Sequence, residues 1–462
     1  MTPVEWIRKS GRGKLLSSIL LLPVLAWVST ASTRAGAAAN PAPDLESILK
    51  AVISNNGQIK ESEADIEIAR EQVNRARAAM YPKGTTTLLA APLFEERGDA
   101  LNVTRNWNKW GPWISSQTQI VQPLYTFGQI GGYRKAAEHQ VLATTEQARM
   151  KRNEVVATAK DFYYTYLMAA DLEALVNNLT EFLGEAVTEA EKGGKGKKKA
   201  GAVKPHDLNR LKVAYDDLLQ KRLFARQAKQ TTQKAVLWMT GGAYDSVPST
   251  GSQKQAFEKK TLEEYLEIAR ANRPEFKALE AGQIARNALA DAKQAQSYPT
   301  LFVAGMADLN WSPVRDKQMS FYAMDPFNRI QGGIAMGLRL DLEFARHKAE
   351  AGEERAQAMK LKATESYAAP GIEVEVSRAF WEVEQAVEGL EIAERRRKTG
   401  RKWFVGSTMG WSVGVTPAKD ILEALQGDGE ARQNYIQTLY LYNAALAKLS
   451  RAVGKEITTL TY

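Results

Sequence analysis

The stretch SYPTLFVAGMADL, residues 297–309, marks the point where a helical pattern gives way to a strand pattern. The helical spacing over 262–298 is expected to end at Tyr298, because proline disfavours helix in the residue before it. The apolar and β-branched residues that follow predict a strand at 300–309. This stretch therefore predicts a junction between a helix and a strand.

The same joint occurs a second time, 217 residues earlier, where Tyr81-Pro82 closes a helical pattern over 44–80. The shift pairs further residues with identical ones, which indicates an internal repeat. Members of these pairs are Leu45 and Leu262, Glu46 and Glu263, Leu49 and Leu266, Asn55 and Asn272, and Lys60 and Lys277. We predict one unit of roughly 200 residues, duplicated as 40–250 and 251–462.

Each unit is predicted to contain a helix, two strands, a very long helix, a turn and a returning helix. The strands are expected at 85–94, 114–124, 300–309 and 332–342. The long helices are expected at 130–192 and 344–405, and the returning helices at 206–240 and 416–452. The turns between them, called the tips from here on, are expected at 193–205 and 406–416. Pro370-Gly371 predicts a kink or local break in the second long helix.

Apolar residues at heptad spacing predict that these helices pack as a coiled coil. One such seam is Tyr435, Leu439, Tyr442, Leu446, Leu449 and Val453, and another is Val155, Ala159, Phe162, Tyr166 and Ala169. The last strand alternates instead, with Ile334, Met336 and Leu338 on one face. The chain is therefore predicted to be mainly α with a small β part.

Composition excludes several functions. The 462 residues contain no cysteine, so disulfides, thiolate metal sites and cysteine nucleophiles are absent. The three histidines, His139, His206 and His347, are far apart, which argues against a metal site built on clustered histidines. No nucleophile–base pair or phosphate-binding loop is evident, so we expect neither an enzyme nor a cofactor.

Residues 1–39 have the pattern of a secretory signal peptide, with a basic start, an apolar centre at 15–28 and the small residues AGAAA at 35–39. The apolar centre is shorter than the roughly 20 residues of a transmembrane helix. The net charge of +9 includes the basic residues of this segment, so it does not demand a nucleic-acid partner. The protein is expected to be exported.

Four strands would leave exposed edges in lipid, so a membrane location requires more than one chain. Three copies would supply twelve strands, which is within the range of membrane β-barrels. Trp107, Trp110 and Trp113, expected before the second strand, and Trp311, expected after the third, fit an interfacial girdle.

These features together resemble the TolC family of outer-membrane efflux proteins. Three further stretches carry the resemblance: LEEYLEIARANRPEF at 262–276, IVQPLYTFGQIGGYRKA at 120–136 and VGVTPAKDILEALQ at 413–426. The resemblance implies a homotrimer with a twelve-strand β-barrel in outer-membrane lipid and an α-helical tunnel in the periplasm. It also implies a periplasmic adaptor protein as a partner and, through it, an inner-membrane pump.

The resemblance assigns roles to residues of the tips. Val413, Gly414, Val415 and Thr416 are similar to the motif that contacts the adaptor, and Gly201, Ala202 and Val203 occupy the corresponding first tip. Asp420 and Glu423 fall where the family places acidic rings at the tunnel entrance. Thr416 stands where an arginine is frequent, and Asp207 and Arg210 are candidates to replace its closing contacts.

Two alternatives remain open at this point. The same fold could export proteins by type I secretion, or it could form a structural trimeric coiled-coil protein of the envelope without conductance. The lysines and glycines at 192–201 could form a solvated loop or dock an acidic partner.

Overall fold

The structure is a computed structural model. It describes residues 43–99, 101–193, 205–319, 322, 324–412 and 415–462. The predicted signal peptide lies outside the described residues, as do the tip residues Gly201, Ala202, Val203, Val413 and Gly414.

Helices and strands follow one another in the same order in both halves of the chain. The first half contains α1 (Leu45–Asn55), α2 (Gly57–Ala78), β1 (Lys83–Gly98), β2 (Val103–Tyr125), α3 (Gln129–Gly193) and α4 (Pro205–Met239). The second contains α5 (Leu262–Asn272), α6 (Pro274–Ala295), β3 (Thr300–Trp311), β4 (Arg329–Arg339), α7 (Phe344–Ser412) and α8 (Ala418–Val453). Within the described part of the chain, no helix is both long and apolar enough to span a membrane.

The helices predicted at 44–80 and 262–298 are each divided in two, so the prediction of single helices was wrong. Asn56 is extended, with ψ 129°, and its side chain accepts a hydrogen bond from the Gln58 N–H at 2.9 Å. Arg273 is extended, with ψ 121°, because Pro274 disfavours helix in the residue before it. Each break starts a new helix with an ordinary helix-start residue, an asparagine cap in one and a proline in the other.

The four strands form one antiparallel sheet in chain order, so β1 and β4 are its edges. The register pairs Thr86 with Thr118, Ile120 with Gly305, and Ala304 with Ala335. The apolar side chains of β4 are exposed in the single chain, and Ile334 reaches 85% exposure. The sheet of one chain therefore has apolar side chains that the described part of the chain leaves uncovered.

The first two strands are longer than predicted, and β2 includes Trp107, Trp110 and Trp113. The expectation that these tryptophans precede the strand was wrong. A tight turn at Gly98 and Asp99 allows β1 and β2 to pair up to their ends. Gly98 has φ 105°, and the Asp99 carboxylate accepts hydrogen bonds from the backbone N–H groups of Leu101 and Asn102, each at 2.9 Å. At the other end, β4 stops at Arg339, three residues earlier than predicted.

Both predicted heptad seams face the interior, with Phe162 and Tyr435 half-buried and the other members buried, which confirms the packing prediction. Val155, Ala159 and Tyr166 of α3 pack in one apolar cluster with residues of α1. Leu439, Tyr442 and Leu446 of α8 pack in a second cluster with residues of α5 and α7. These clusters hold the long helices side by side midway along their length.

Helix α7 is continuous through Pro370 and Gly371, so the predicted local break is absent. The two sides of the proline are held separately. On one side, α7 carboxylates accept bonds from Lys293 and Arg286 of α6, each at 2.8 Å. On the other side, Ile372 and Val376 are buried in the cluster around Tyr442. These contacts attach α7 to its neighbours on both sides of Pro370, where the proline removes one backbone hydrogen bond.

The C-terminal residues are fastened to α3 by a buried ion pair between Lys160 and Glu456. The Lys160 side chain is 2% exposed, and Glu456 also accepts hydrogen bonds from Tyr462, at 2.6 Å, and Thr458. Burial lowers the pKa of Lys160 below its ordinary value. Burial alone would raise the pKa of Glu456, but the ion pair and these hydrogen bonds lower it to about 2.

Candidate functional site at the helical tips

The two tips lie at the end of the long helices that is farthest from the sheet. Helices α3 and α7 have 65 and 69 residues. At 1.5 Å per residue, each spans about 100 Å. The C-terminal ends of α3 and α7, which lead into the tips, therefore lie about 100 Å from the strands that precede these helices.

One apolar cluster joins the four helices just before the tips. Its buried members are Leu183 of α3, Leu211 of α4, Phe404 of α7, and Ala424 and Leu425 of α8. The rings of Phe182 and Phe404 meet edge to face, with centroids 5.1 Å apart. The cluster brings the first turns of α4 and α8 to the same end of the molecule, although 213 residues separate their starts.

The second tip closes through backbone hydrogen bonds to one carbonyl. The Gly410 oxygen accepts bonds from the N–H groups of Val415 and Thr416, at 2.9 and 3.1 Å. Helix α7 runs to Ser412, so the first seven residues of the predicted tip, 406–412, are helical. The N-cap of α8 is Pro417, whose carbonyl accepts the first intrahelical bonds, from the N–H groups of Asp420 and Ile421.

Asp420 and Glu423 share the exposed face of the first turns of α8. Their neighbours Ile421 and Ala424 are buried, so the helix period leaves the two carboxylates on the outside. Lys419 lies 3.6 Å from the Glu423 carboxylate, one turn away. Lys419 thus partly balances the charge of Glu423. Among the described residues, no lysine or arginine forms an ion pair with the Asp420 carboxylate.

At the first tip, Asp207 is paired within its own turn and Arg210 is exposed. The Asp207 carboxylate lies 3.2 Å from the His206 ring nitrogen Nε2. Among the described residues of one chain, no hydrogen bond or ion pair joins Asp207 or Arg210 to Asp420 or Glu423.

A buried carboxylate, Asp428, lies five residues beyond Glu423 and was not predicted from the sequence. Asp428 is 0% exposed, and its oxygen lies 2.7 Å from Arg432 and 3.8 Å from Arg401 of α7. Gly427 lies beside it, and a Cβ there would stand 2.4 Å from the Trp403 ring. The helices α7 and α8 are therefore closely apposed at this level. The four-residue spacing of Asp428 and Arg432 was the available signal.

Comparison with solved structures finds the same fold in several bacterial membrane proteins. The Neisseria gonorrhoeae MtrE outer membrane channel, solved in its open state, has a TM-score of 0.69 at 16% identity, covering 90% of each chain. The Campylobacter jejuni CmeC outer membrane channel has a TM-score of 0.69 at 12% identity, covering 97% of this chain and 96% of that one. CusC has a TM-score of 0.70 at 14% identity, covering 89% and 92%.

Comparison with curated protein sequences finds no match. A family model described as "Outer membrane efflux protein" matches residues 48–194 and 265–455. These two ranges hold most of the described helices and strands, including the first turns of α8 with Asp420 and Glu423. The chain therefore belongs to the outer membrane efflux protein family, and it is an outer-membrane protein with a large periplasmic helical part.

Proposed function

We propose that three copies of this chain form the exit duct of a tripartite efflux system, which receives substrate from a periplasmic adaptor and an inner-membrane pump. The convergence of four helix ends in one apolar cluster, at the end of the long helices away from an exposed sheet, carries this proposal. It separates a lipid-facing end from a partner-facing end within each chain. The duct catalyses no reaction.

The sheet supports assembly from several copies. Over most of their length, its edge strands β1 and β4 have no neighbouring strand on their outer sides among the described residues, and such edges cannot face lipid. Pairing β1 of one copy with β4 of the next would satisfy both edges, and three copies would close a sheet of twelve strands. The exposed side chains Ile330, Ile334 and Leu338 would then face lipid. The two halves of the chain, divided near residue 250, would contribute two strands each.

The first turns of α8 would form the periplasmic gate. Three copies would bring six carboxylates, from Asp420 and Glu423, to one constriction, where rings of acidic side chains favour cations. Asp207 and Arg210 of a neighbouring copy would line the same level, because Leu211 and Ala424 pack in one cluster. The gate would therefore be cation-selective, with Asp420 making the larger contribution since Lys419 partly balances Glu423.

The tips would dock the adaptor. Val415 is 79% exposed, and an apolar side chain so exposed at a turn is suited to contact a partner. Because the chain contains no cysteine, a single introduced cysteine reports on one position only. We expect Val415→Cys to crosslink the adaptor in cells, whereas Ile392→Cys on α7, an exposed control at 57%, should not. Equal crosslinking at both positions, or none at Val415, would argue against docking at the tip.

A deletion strain distinguishes efflux from protein export. We expect the strain to become more sensitive to small toxic compounds, and to regain resistance with the wild-type chain but not with the tip variant Val415→Asp. Loss of a secreted polypeptide with unchanged sensitivity would instead support the type I secretion alternative. A strain unchanged in both respects would favour a structural role in the envelope.

A further inference from the structure

The joint between β4 and α7 brings three metal-binding residue types together. Asp341 and Glu343 lie in the connection after the strand, and His347 lies in the first turn of α7. The His347 N–H donates to the Glu343 carbonyl at 3.1 Å, which fixes their relative positions. One ligand atom from each side chain lies within 4.8 Å of the other two.

The His347 ring is buried without a hydrogen-bond partner. Its side chain is 1% exposed, and neither ring nitrogen makes a hydrogen bond among the described residues. An Asp341 carboxylate oxygen lies 3.8 Å from Nε2, which is too far for a hydrogen bond. A buried polar group left unpaired costs about 1–3 kcal/mol, so its presence requires an explanation.

We propose that Asp341, Glu343 and His347 form a binding site for a divalent transition-metal cation of the zinc type. Imidazole nitrogen and carboxylate oxygen are both ligands of zinc, whereas calcium and magnesium take oxygen ligands almost alone. Two atoms bound to one zinc ion at about 2.0–2.2 Å lie at most about 4.4 Å apart. The 3.8 Å between His347 and Asp341 is therefore within reach of one ion.

The third ligand needs only a small movement to join them. The side chains of Asp341 and Glu343 are half exposed, at 52% and 50%, so neither is locked by packing. Glu343 forms an ion pair with Arg346, which also lies 3.6 Å from Glu350. Arg346 can therefore keep Glu350 as its partner when Glu343 turns to the ion. The ion would reach the site through a cleft lined by Asp341, Arg346 and His347.

A bound ion would tie the end of the sheet to the start of the longest helix. Asp341 follows β4 and His347 belongs to α7, so one ion would bridge the connection between the two elements. Three protein ligands leave one position of a tetrahedral ion for water. The site lies about 100 Å from the tips, so it is separate from the proposed gate.

Zinc titration of the full-length protein tests the proposal. The protein carries a tag without histidine, is purified in detergent, is stripped with EDTA, and is titrated with zinc chloride by calorimetry. We expect one zinc per chain, and an affinity at least tenfold weaker in His347→Gln, because loss of an outer-shell partner alone costs about 10–100-fold. The matched control is His206→Gln, which removes an exposed histidine whose ring lies 3.2 Å from Asp207 and which belongs to no group of three metal-binding side chains among the described residues. The zinc affinity of this variant should equal that of the wild type.

A second variant protects the test against misfolding. Asp341→Asn changes an exposed side chain, so the fold should survive while zinc affinity falls at least tenfold. Binding of cobalt in place of zinc gives a visible absorption spectrum that should shift or vanish in both variants. The proposal is overturned if the wild-type protein binds no zinc, or if His347→Gln and Asp341→Asn both keep the wild-type affinity.

Discussion

Replacing Lys160 by methionine is expected to loosen the C-terminal residues from α3. The change keeps most of the apolar volume of the side chain but removes the cation that faces Glu456. The Glu456 carboxylate would remain partly buried, with hydrogen bonds from Thr458 and Tyr462 but no balancing charge. Removing one partner of a buried ion pair typically costs 3–5 kcal/mol.

The pKa of Glu456 supports the lower end of that range. Folding lowers this pKa from 4.5 to about 2. Each pKa unit corresponds to about 1.4 kcal/mol, so the folded state favours the charged carboxylate by about 3 kcal/mol. Lys160 supplies only part of this free energy. Burial lowers the pKa of Lys160, so placing its charge in the interior has a cost of its own. The intact pair therefore stabilises the fold by less than the loss of one partner costs.

Urea unfolding of the purified protein in detergent, followed by far-UV circular dichroism, measures the effect. We expect Lys160→Met to lower the free energy of unfolding by about 3 kcal/mol. The double variant Lys160→Met, Glu456→Gln should recover most of this loss, because it buries no unpaired charge. The ion pair does not hold the C-terminal residues if the free energy of unfolding of Lys160→Met stays within about 0.5 kcal/mol of the wild-type value. The same conclusion follows if the double variant is less stable than the single one.

The remaining predictions concern a helix contact, a cap, the proposed gate and acid stability. In the same urea assay, Gly132→Ala should lower the free energy of unfolding by about 1–3 kcal/mol, because the new Cβ would lie 2.8 Å from the Ala292 Cβ on α6. The control Gly131→Ala, whose Cβ would have nothing within 4 Å, should leave the free energy of unfolding unchanged or raise it by up to about 1 kcal/mol. Asn56→Ala should cost about 1–2 kcal/mol, since it removes the cap of α2 and a 3.2 Å bond to Met239. Lys419→Gln should strengthen block of the pore by divalent cations, whereas Lys398→Gln, which breaks a similar pair with Glu394 on α7, should not. As pH falls from about 4.5 to 2, the wild type should lose the contribution of Glu456, and Glu456→Gln should not show this loss.

Much of the fold was predictable because it rests on periodic patterns. The heptad seam through Tyr442 and Leu446 fixed a helix face, and that face is buried. The alternation of Ile334, Met336 and Leu338 indicated a strand with one apolar face, which is what β4 presents. Such patterns extend over many residues, so a single exception does not hide them.

The breaks and the turns were predicted less well because they depend on single residues. Pro274 would have ended a helix at Arg273 by the same rule that ended one at Tyr298. The break at Asn56 has a weaker signal, since asparagine is tolerated inside helices, and its side chain is fixed by a distant partner, Met239. The turn at Gly98 and Asp99 extended β2 over the tryptophans.

The candidate sites depended on contacts between distant parts of the chain. Asp420 and Glu423 were found from the resemblance and from their spacing, and both lie on the exposed face of α8. The burial of Asp428 and His347 could not be read from their neighbours in sequence, because packing between elements determines it. One histidine beside two carboxylates gives a much weaker sequence signal for a metal site than clustered histidines do.

Single-channel recording of the purified protein in planar bilayers tests the central claim most directly. We expect a conductance that prefers cations, with the preference reduced by Asp420→Asn and less affected by Glu423→Gln. If neither the wild-type protein nor a variant that combines Asp420→Ala and Glu423→Ala conducts, the duct is contradicted. If Asp420→Asn conducts with unchanged cation preference and block, Asp420 does not line the constriction.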